Sequence, residues 1–220
     1  MAAAYTHTAA TLALMDRAPV IPVLTVQGPE DGVAQARALV AGGLPVIEVT
    51  LRTPGALAAL SAIAREVEGA VVGAGTVLDA PMMEAALGAG AAFLVSPGMT
   101  AALLPAAASS PVPFLPGCAT ASEAMALAEH GFRALKFFPA EAAGGIKYLS
   151  SLAGPLAQLA FCPTGGIDLE KAPAYLALAN VRCVGGSWMI PKAALAAGDF
   201  KTVERLAREA AGLARRPAPR

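Results

Sequence analysis

The chain reads as α/β, a single (β/α)8 TIM barrel with an extra N-terminal helix, on three observations. Short apolar runs recur eight times, each is followed by Gly, Pro, Ser or Thr and then by an alanine-rich segment of helical spacing, and the repeat of 20 to 26 residues is the length of one strand plus one crossover helix. Residues 4–18 come first, as an expected extra helix across the bottom of the barrel. The eight expected strands are VIPVLTV (20–26), PVIEVTL (45–51), AVVGAG (70–75), AFLVSP (92–97), PFLPG (113–117), ALKFFP (134–139), LAFCPTGG (159–166) and VRCVGGS (181–187). Their near-continuous apolarity marks strands covered on both faces, and eight such parallel strands close a barrel. GDFKTVERLAREAAGLARR (198–216) reads as an amphipathic closing helix with Leu206 and Ala210 inward, and residues 213–220 as a frayed tail. The competing architecture is an open doubly wound sheet, whose usual sign is a G-x-G-x-x-G turn after the first strand; VLTVQGPEDG is not that turn. One domain over residues 1–220 is expected, with no linker or low-complexity block.

Composition narrows the function classes. The chain is 56% hydrophobic with a mean hydropathy of +0.58, yet every apolar run is broken short of the roughly 18 residues a spanning helix needs. Much of the hydropathy is alanine, a helix former rather than a lipid-facing residue. Sixteen basic and sixteen acidic residues balance, which leaves no electrostatic footprint for nucleic acid or an anionic membrane. The first twenty residues lack a basic start and carry Asp16 and Arg17 after the apolar stretch, unlike a signal peptide, so a cytoplasmic enzyme is expected. Cys118, Cys162 and Cys183 are odd in number and widely spaced, and are read as reduced.

Chemistry in such a barrel projects from the C-terminal ends of strands. Lys136 is the sharpest signal: of five lysines it alone is embedded in an apolar strand, between Leu135 and Phe137. Burying an ammonium costs several kcal/mol unless it is paired or neutral, so such a site favours the neutral amine that attacks a carbonyl. The alternative is a strand-edge lysine reaching out to solvent. Alternation along the strand places Lys136 and Phe138 opposite Leu135 and Phe137.

Glu48, flanked by Ile47 and Val49, poses the same problem with opposite charge and suits a group that shuttles protons; its alternative is a buried ion pair with Lys136 or Arg52, and the two readings are compatible. Arg52, just past the strand end, has the planar fork that clamps a carboxylate, unless it is a plain surface arginine. Thr76 follows the third run, and Thr164 with Gly165 and Gly166 ends the seventh. Gly185, Gly186 and Ser187 end the eighth, and glycine pairs at these two strands suit phosphate, although each alone is also ordinary turn chemistry. His7 and His130 offer no metal spacing, and no flavin, nicotinamide or pyridoxal motif stands out, so no metal and no cofactor is expected.

Taken together, AGGLPVIEVTLRT (41–53), VGAGTVL (72–78), SPG (96–98), KFFPAE (136–141), FCPTGGI (161–167) and GGSW (185–188) closely resemble the 2-keto-3-deoxy-6-phosphogluconate (KDPG) aldolase family, over roughly residues 10 to 212. The resemblance implies a class I aldolase that reversibly cleaves KDPG to pyruvate and glyceraldehyde 3-phosphate, acting as a homotrimer in the Entner–Doudoroff route. It implies Lys136 as the Schiff-base lysine and Glu48 as general acid/base acting through a water, with Arg52 and Thr76 on the pyruvyl carboxylate. Pro97, Phe138 and Thr164 would shape the pocket, and Gly165, Gly166, Gly186 and Ser187 would receive the phosphate. Two departures stand out: Cys118 and Ala119 replace other small residues in PGCATASE (116–123), and RRPAPR has no counterpart. Within the class, the alternatives are 4-hydroxy-2-oxoglutarate or the galactonate epimer as substrate. Outside it, a catalytically silent sugar-acid-binding barrel competes, and a membrane-associated protein is suggested by hydropathy alone.

Overall fold

The computed structural model describes residues 5–214. Helices and strands alternate along them as α1 Thr8–Met15, β1 Val20–Leu24, α2 Pro29–Ala41, β2 Val46–Thr50, α3 Ala56–Glu66, β3 Val71–Gly75, α4 Ala80–Gly88, β4 Leu94–Val95 and α5 Leu104–Ala108. The series continues with β5 Phe114–Leu115, β6 Gly117–Cys118, α6 Ala121–Glu129, β7 Ala134–Phe137, α7 Gly145–Ser151, β8 Ala160–Pro163, α8 Ala172–Leu176, β9 Val184–Gly186, α9 Lys192–Ala196 and α10 Phe200–Ala211. Every recorded strand pairing is parallel. One sheet runs β5-β4-β3-β2-β1-β9 and the other β6-β7-β8, an α/β fold with a curled parallel sheet.

Eight strands were expected and nine segments form among the described residues, because Pro116 divides the fifth run. Proline has no N–H to give to a ladder. Ser96 N donates to the Leu115 carbonyl (3.3 Å) on one side, whereas Lys136 N donates to the Pro116 carbonyl (2.8 Å) on the other. The fifth run therefore begins beside β4 and ends beside β7. Isolated bridges Phe161↔Val181 and Thr164↔Gly185 link the β8 and β9 regions. The expected 4–18 helix is shorter, Thr8–Met15, with residue 4 outside the described residues. The closing helix is also shorter, Phe200–Ala211; Ala210 is buried as expected, Leu206 is only half-buried, and Val203 and Ala207 complete the inner face. The last six residues of the expected frayed tail lie outside the described residues.

Strand alternation sorts side chains into two cores. Ile47 and Val49 of β2, like Leu135 and Phe137 of β7, face the helices. Val46 of β2, Val95 of β4, Leu115 of β5, Ala134 of β7 and Cys162 of β8 turn inward and meet Leu14 and Met15 of α1. The helix thus covers the N-terminal end of the sheet, where the extra helix was expected. Tyr5 fastens it there: its hydroxyl accepts from Phe114 N (2.8 Å), and its ring stacks on Phe132 at 4.2 Å. Two residues further along the same inward faces, the apolar layer gives way to charge. The three cysteines are buried and form no disulfide, and burial pushes the Cys118 thiol up to about 12, with the Glu123 charge adding to the shift. Among the described residues, no helix is long and apolar enough to cross a membrane.

Candidate active site

Glu48 follows Val46 on the inward face of β2, and Lys136 follows Ala134 on the inward face of β7. Both are nearly excluded from solvent, at 3% and 4% exposure. Lys136 Nζ lies 3.1 Å from Glu48 Oε1 and 3.5 Å from Oε2. Neither charge would be tolerated alone in such a place, and mutual attraction offsets the desolvation of both. The Lys136 ammonium also sits 5.4 Å from the centre of the Phe138 ring, whose electron-rich face favours a cation. The sequence expectation that Lys136 and Phe138 share a side holds. Of the two partners open to Glu48, the structure selects Lys136.

Gly75 makes room for this pair. A Cβ on Gly75 would fall 2.1 Å from Glu48 Oε1 and 2.6 Å from its Cγ and Cδ, so the carboxylate occupies space that only glycine leaves. Thr50, next along the inward face, donates to the Leu24 carbonyl at 2.7 Å and ties the ends of β1 and β2 together. Arg52 is exposed and donates through Nε to Thr76 Oγ1 at 3.1 Å, so the two residues expected to hold a carboxylate are in contact. Thr76 adopts φ +61, a conformation that β-branched residues rarely take and that concentrates at ligand sites. Pro97 is half-buried at the end of β4; its carbonyl packs against Gly117, where a Cβ would lie 2.3 Å away.

Thr164 extends the inward face of β8, and a Cβ on Gly185 would lie 2.2 Å from its Oγ1. Gly165 (φ +106) and Gly166 (φ +78) then turn the chain in a way that favours glycine. The Thr164 carbonyl accepts from Ala140 N (2.8 Å) and the Gly165 carbonyl from Glu141 N (3.1 Å). In a trans peptide the carbonyl and the following N–H point in opposite directions, so the N–H groups of Gly165 and Gly166 face away from those donors. Successive N–H groups turned one way make a concavity for an anion. Gly186 and Ser187 end the neighbouring β9, with Gly186 packed on the Trp188 ring and Ser187 exposed.

Sequence reasoning missed three kinds of residue here. Gly75 had a signal, since a glycine inside a strand marks a close approach. Ser96, fully buried, accepts from Gly117 N at 3.4 Å; it stood in the SPG motif without a role of its own. Behind the Gly165–Gly166 turn, Glu141 accepts from the Tyr175 hydroxyl and pairs with Lys171 (2.9 Å), residues more than 29 positions apart with no shared motif.

The geometry can be set beside known proteins. The family model described as KDPG and KHG aldolase matches residues 12–206. The KHG/KDPG aldolase of Escherichia coli strain K12 is 50% identical over 197 residues, which is 90% of this chain and 92% of that protein. The crystal structure of the 2-keto-3-deoxy-6-phosphogluconate aldolase of Zymomonas mobilis ZM4 with 3-phosphoglycerate superposes with a TM-score of 0.90 at 45% identity, covering 96% of this chain and all (100%) of that one. KDPG aldolase from Legionella pneumophila, with pyruvate captured as a covalent carbinolamine intermediate, gives a TM-score of 0.89 at 42% identity over 92% of this chain and 98% of the other. A buried lysine–glutamate pair at the polar end of a curled parallel sheet, and likeness over nearly the whole length, lead to one conclusion: the chain belongs to the KDPG and KHG aldolase family.

Proposed function

We infer that this protein is a class I aldolase that reversibly cleaves KDPG to pyruvate and glyceraldehyde 3-phosphate, a lyase of the Entner–Doudoroff route. The observation that carries the reading is the amine of Lys136 held 3.1 Å from the Glu48 carboxylate, with both side chains nearly buried. Transfer of a proton within this pair frees the amine, which adds to the substrate's keto carbon; loss of water from the carbinolamine leaves a protonated imine. Glu48 accepts the proton of the C4 hydroxyl, the C3–C4 bond breaks, and its electrons flow into the imine to leave an enamine while the aldehyde departs. Protonation of the enamine at C3 and addition of water to the imine release pyruvate and regenerate the lysine.

The remaining roles follow the same reading. Arg52 and Thr76 hold the pyruvyl carboxylate, Pro97, Phe138 and Thr164 form the walls, and Gly165, Gly166, Gly186 and Ser187 receive the phosphate. Support comes from the Arg52–Thr76 contact and from the outward N–H groups of the glycine turn. In this reading residues 1–220 are one domain and the two sheets close into a full (β/α)8 barrel, supported by the single residue between β5 and β6 and by the bridges between the β8 and β9 regions. The family resemblance supports a cytoplasmic homotrimer. A second substrate, 4-hydroxy-2-oxoglutarate, is favoured by the relative in Escherichia coli, named for both activities.

Incubation with pyruvate and borohydride, followed by peptide mass spectrometry, tests the mechanism. A reduced pyruvyl adduct on Lys136, absent in Lys136→Ala, is expected. No adduct on folded wild-type protein would replace the aldolase by a silent sugar-acid-binding barrel.

A further inference from the structure

The turn proposed to receive phosphate is backed by a polar assembly that the aldolase mechanism does not use. Three successive carbonyls of this turn are taken from outside: Thr164 by Ala140 N (2.8 Å), Gly165 by Glu141 N (3.1 Å) and Gly166 by Lys171 Nζ (2.9 Å). The first two donors are backbone groups. The third is a side chain, and its place depends on Glu141, whose Oε2 lies 2.9 Å from Lys171 Nζ. Glu141 is in turn held by the hydroxyl of Tyr175, a fully buried residue of α8, through Oε1. The stem of Glu141 also closes that side of the turn, since a Cβ on Gly166 would lie 2.7 Å from its Cγ.

Two physical effects follow. A peptide whose carbonyl is pinned on one side presents the next N–H on the other, so the Lys171 contact to Gly166 turns the N–H of Ile167 away from Lys171. A bare carboxylate close behind an anion site would repel the anion; Lys171, 2.9 Å from Glu141 and 4.0 Å from Asp168, offsets that charge. The charges agree: the Tyr175 hydroxyl, then Lys171, hold the Glu141 carboxyl below the usual carboxylate range, and Glu141 raises Lys171. The ion pair is half-exposed, and such pairs add little to stability, so its effect should be read in geometry and local charge.

We propose that Glu141, Lys171 and Tyr175 are positioning residues for the substrate's phosphate: they fix the Gly165–Gly166 turn in its anion-accepting orientation and cancel the carboxylate behind it. This rests on the phosphate being received at that turn.

The test compares cleavage of KDPG with that of unphosphorylated 4-hydroxy-2-oxoglutarate in wild type, Lys171→Met, Glu141→Gln/Lys171→Met and Tyr175→Phe, with melting temperatures for each. Lys171→Met should raise KM for KDPG by about tenfold, equivalent to about 1.4 kcal/mol, with kcat and the KM for the unphosphorylated substrate little changed. The double variant should recover part of that loss, because the unpaired carboxylate is gone, and Tyr175→Phe should fall between. Equal KM changes for both substrates, or none for either, would overturn the proposal. A wild-type enzyme with no preference for the phosphorylated substrate, and no inhibition by inorganic phosphate, would overturn the placement of the phosphate as well.

Discussion

Gly75→Ala adds a single methyl group at the wall of the reactive pair. The new Cβ would stand 2.1 Å from Glu48 Oε1 and 2.6 Å from both Cγ and Cδ, whereas non-bonded carbons settle at about 3.5–4.0 Å. The backbone of Gly75 is not left-handed, so alanine strains no dihedral there and the conflict falls on the Glu48 side chain. That side chain has to retreat by about 1 Å or more, away from its 3.1 Å contact with Lys136. Misplacing a reacting group by about 1 Å costs on the order of 100-fold, and losing general acid–base catalysis altogether costs about 10²–10⁴-fold. Overpacking should lower stability by only about 1–3 kcal/mol.

Pyruvate release from KDPG, coupled to lactate dehydrogenase, measures kcat, and a thermal melt establishes folding. Gly75→Ala is expected to lose kcat by about 10² or more while still melting cooperatively. Because both changes act through one carboxylate, Gly75→Ala combined with Glu48→Gln should be little worse than the poorer single variant. An unchanged kcat in folded Gly75→Ala would refute the reasoning.

The same pair predicts a stability pattern. Lys136→Met leaves the Glu48 carboxylate buried without its cation and should cost about 3–5 kcal/mol in urea denaturation, whereas Lys136→Met with Glu48→Gln should recover most of it; additive losses would contradict the pairing. Alkaline stability follows from Cys118, whose folded pKa of about 12 stands above the ordinary thiol value of about 8.5. Raising the folded value means that its contribution is intact below the unfolded pKa and is lost as pH climbs toward 12, by about 1.4 kcal/mol per pH unit in that window. Urea midpoints measured across the alkaline range should fall less steeply in Cys118→Ala, and identical slopes would exclude this source.

Burial explains what was legible in the sequence. Strands covered on both faces must be apolar, so their positions stood out as runs, and the two charges lodged in those runs, Glu48 and Lys136, stood out against them. The glycine turns were visible because only glycine takes their backbone angles readily. Pro116 carried a readable signal for the break in the fifth run, but the run's length obscured it. Other features depend on distance across the chain. Nothing local tells that Lys171 reaches Gly166 or that Tyr175 meets Glu141, because each is an ordinary residue of an ordinary helix or loop until the strands are curled. The left-handed backbone of Thr76 was hidden for a different reason: threonine seldom adopts it, and only its surroundings impose it.

Glu48 belongs to the six-stranded sheet and Lys136 to the three-stranded one, 88 positions later in the chain. Each sheet formed alone would carry an orphan charge on its inner face, which discourages a stable half-structure with that face packed dry. When the sheets meet, each charge offsets the desolvation of the other in one contact. The pair that performs the chemistry therefore also makes assembly of the two sheets more nearly all-or-none, so a molecule caught halfway is both inactive and poorly stabilised.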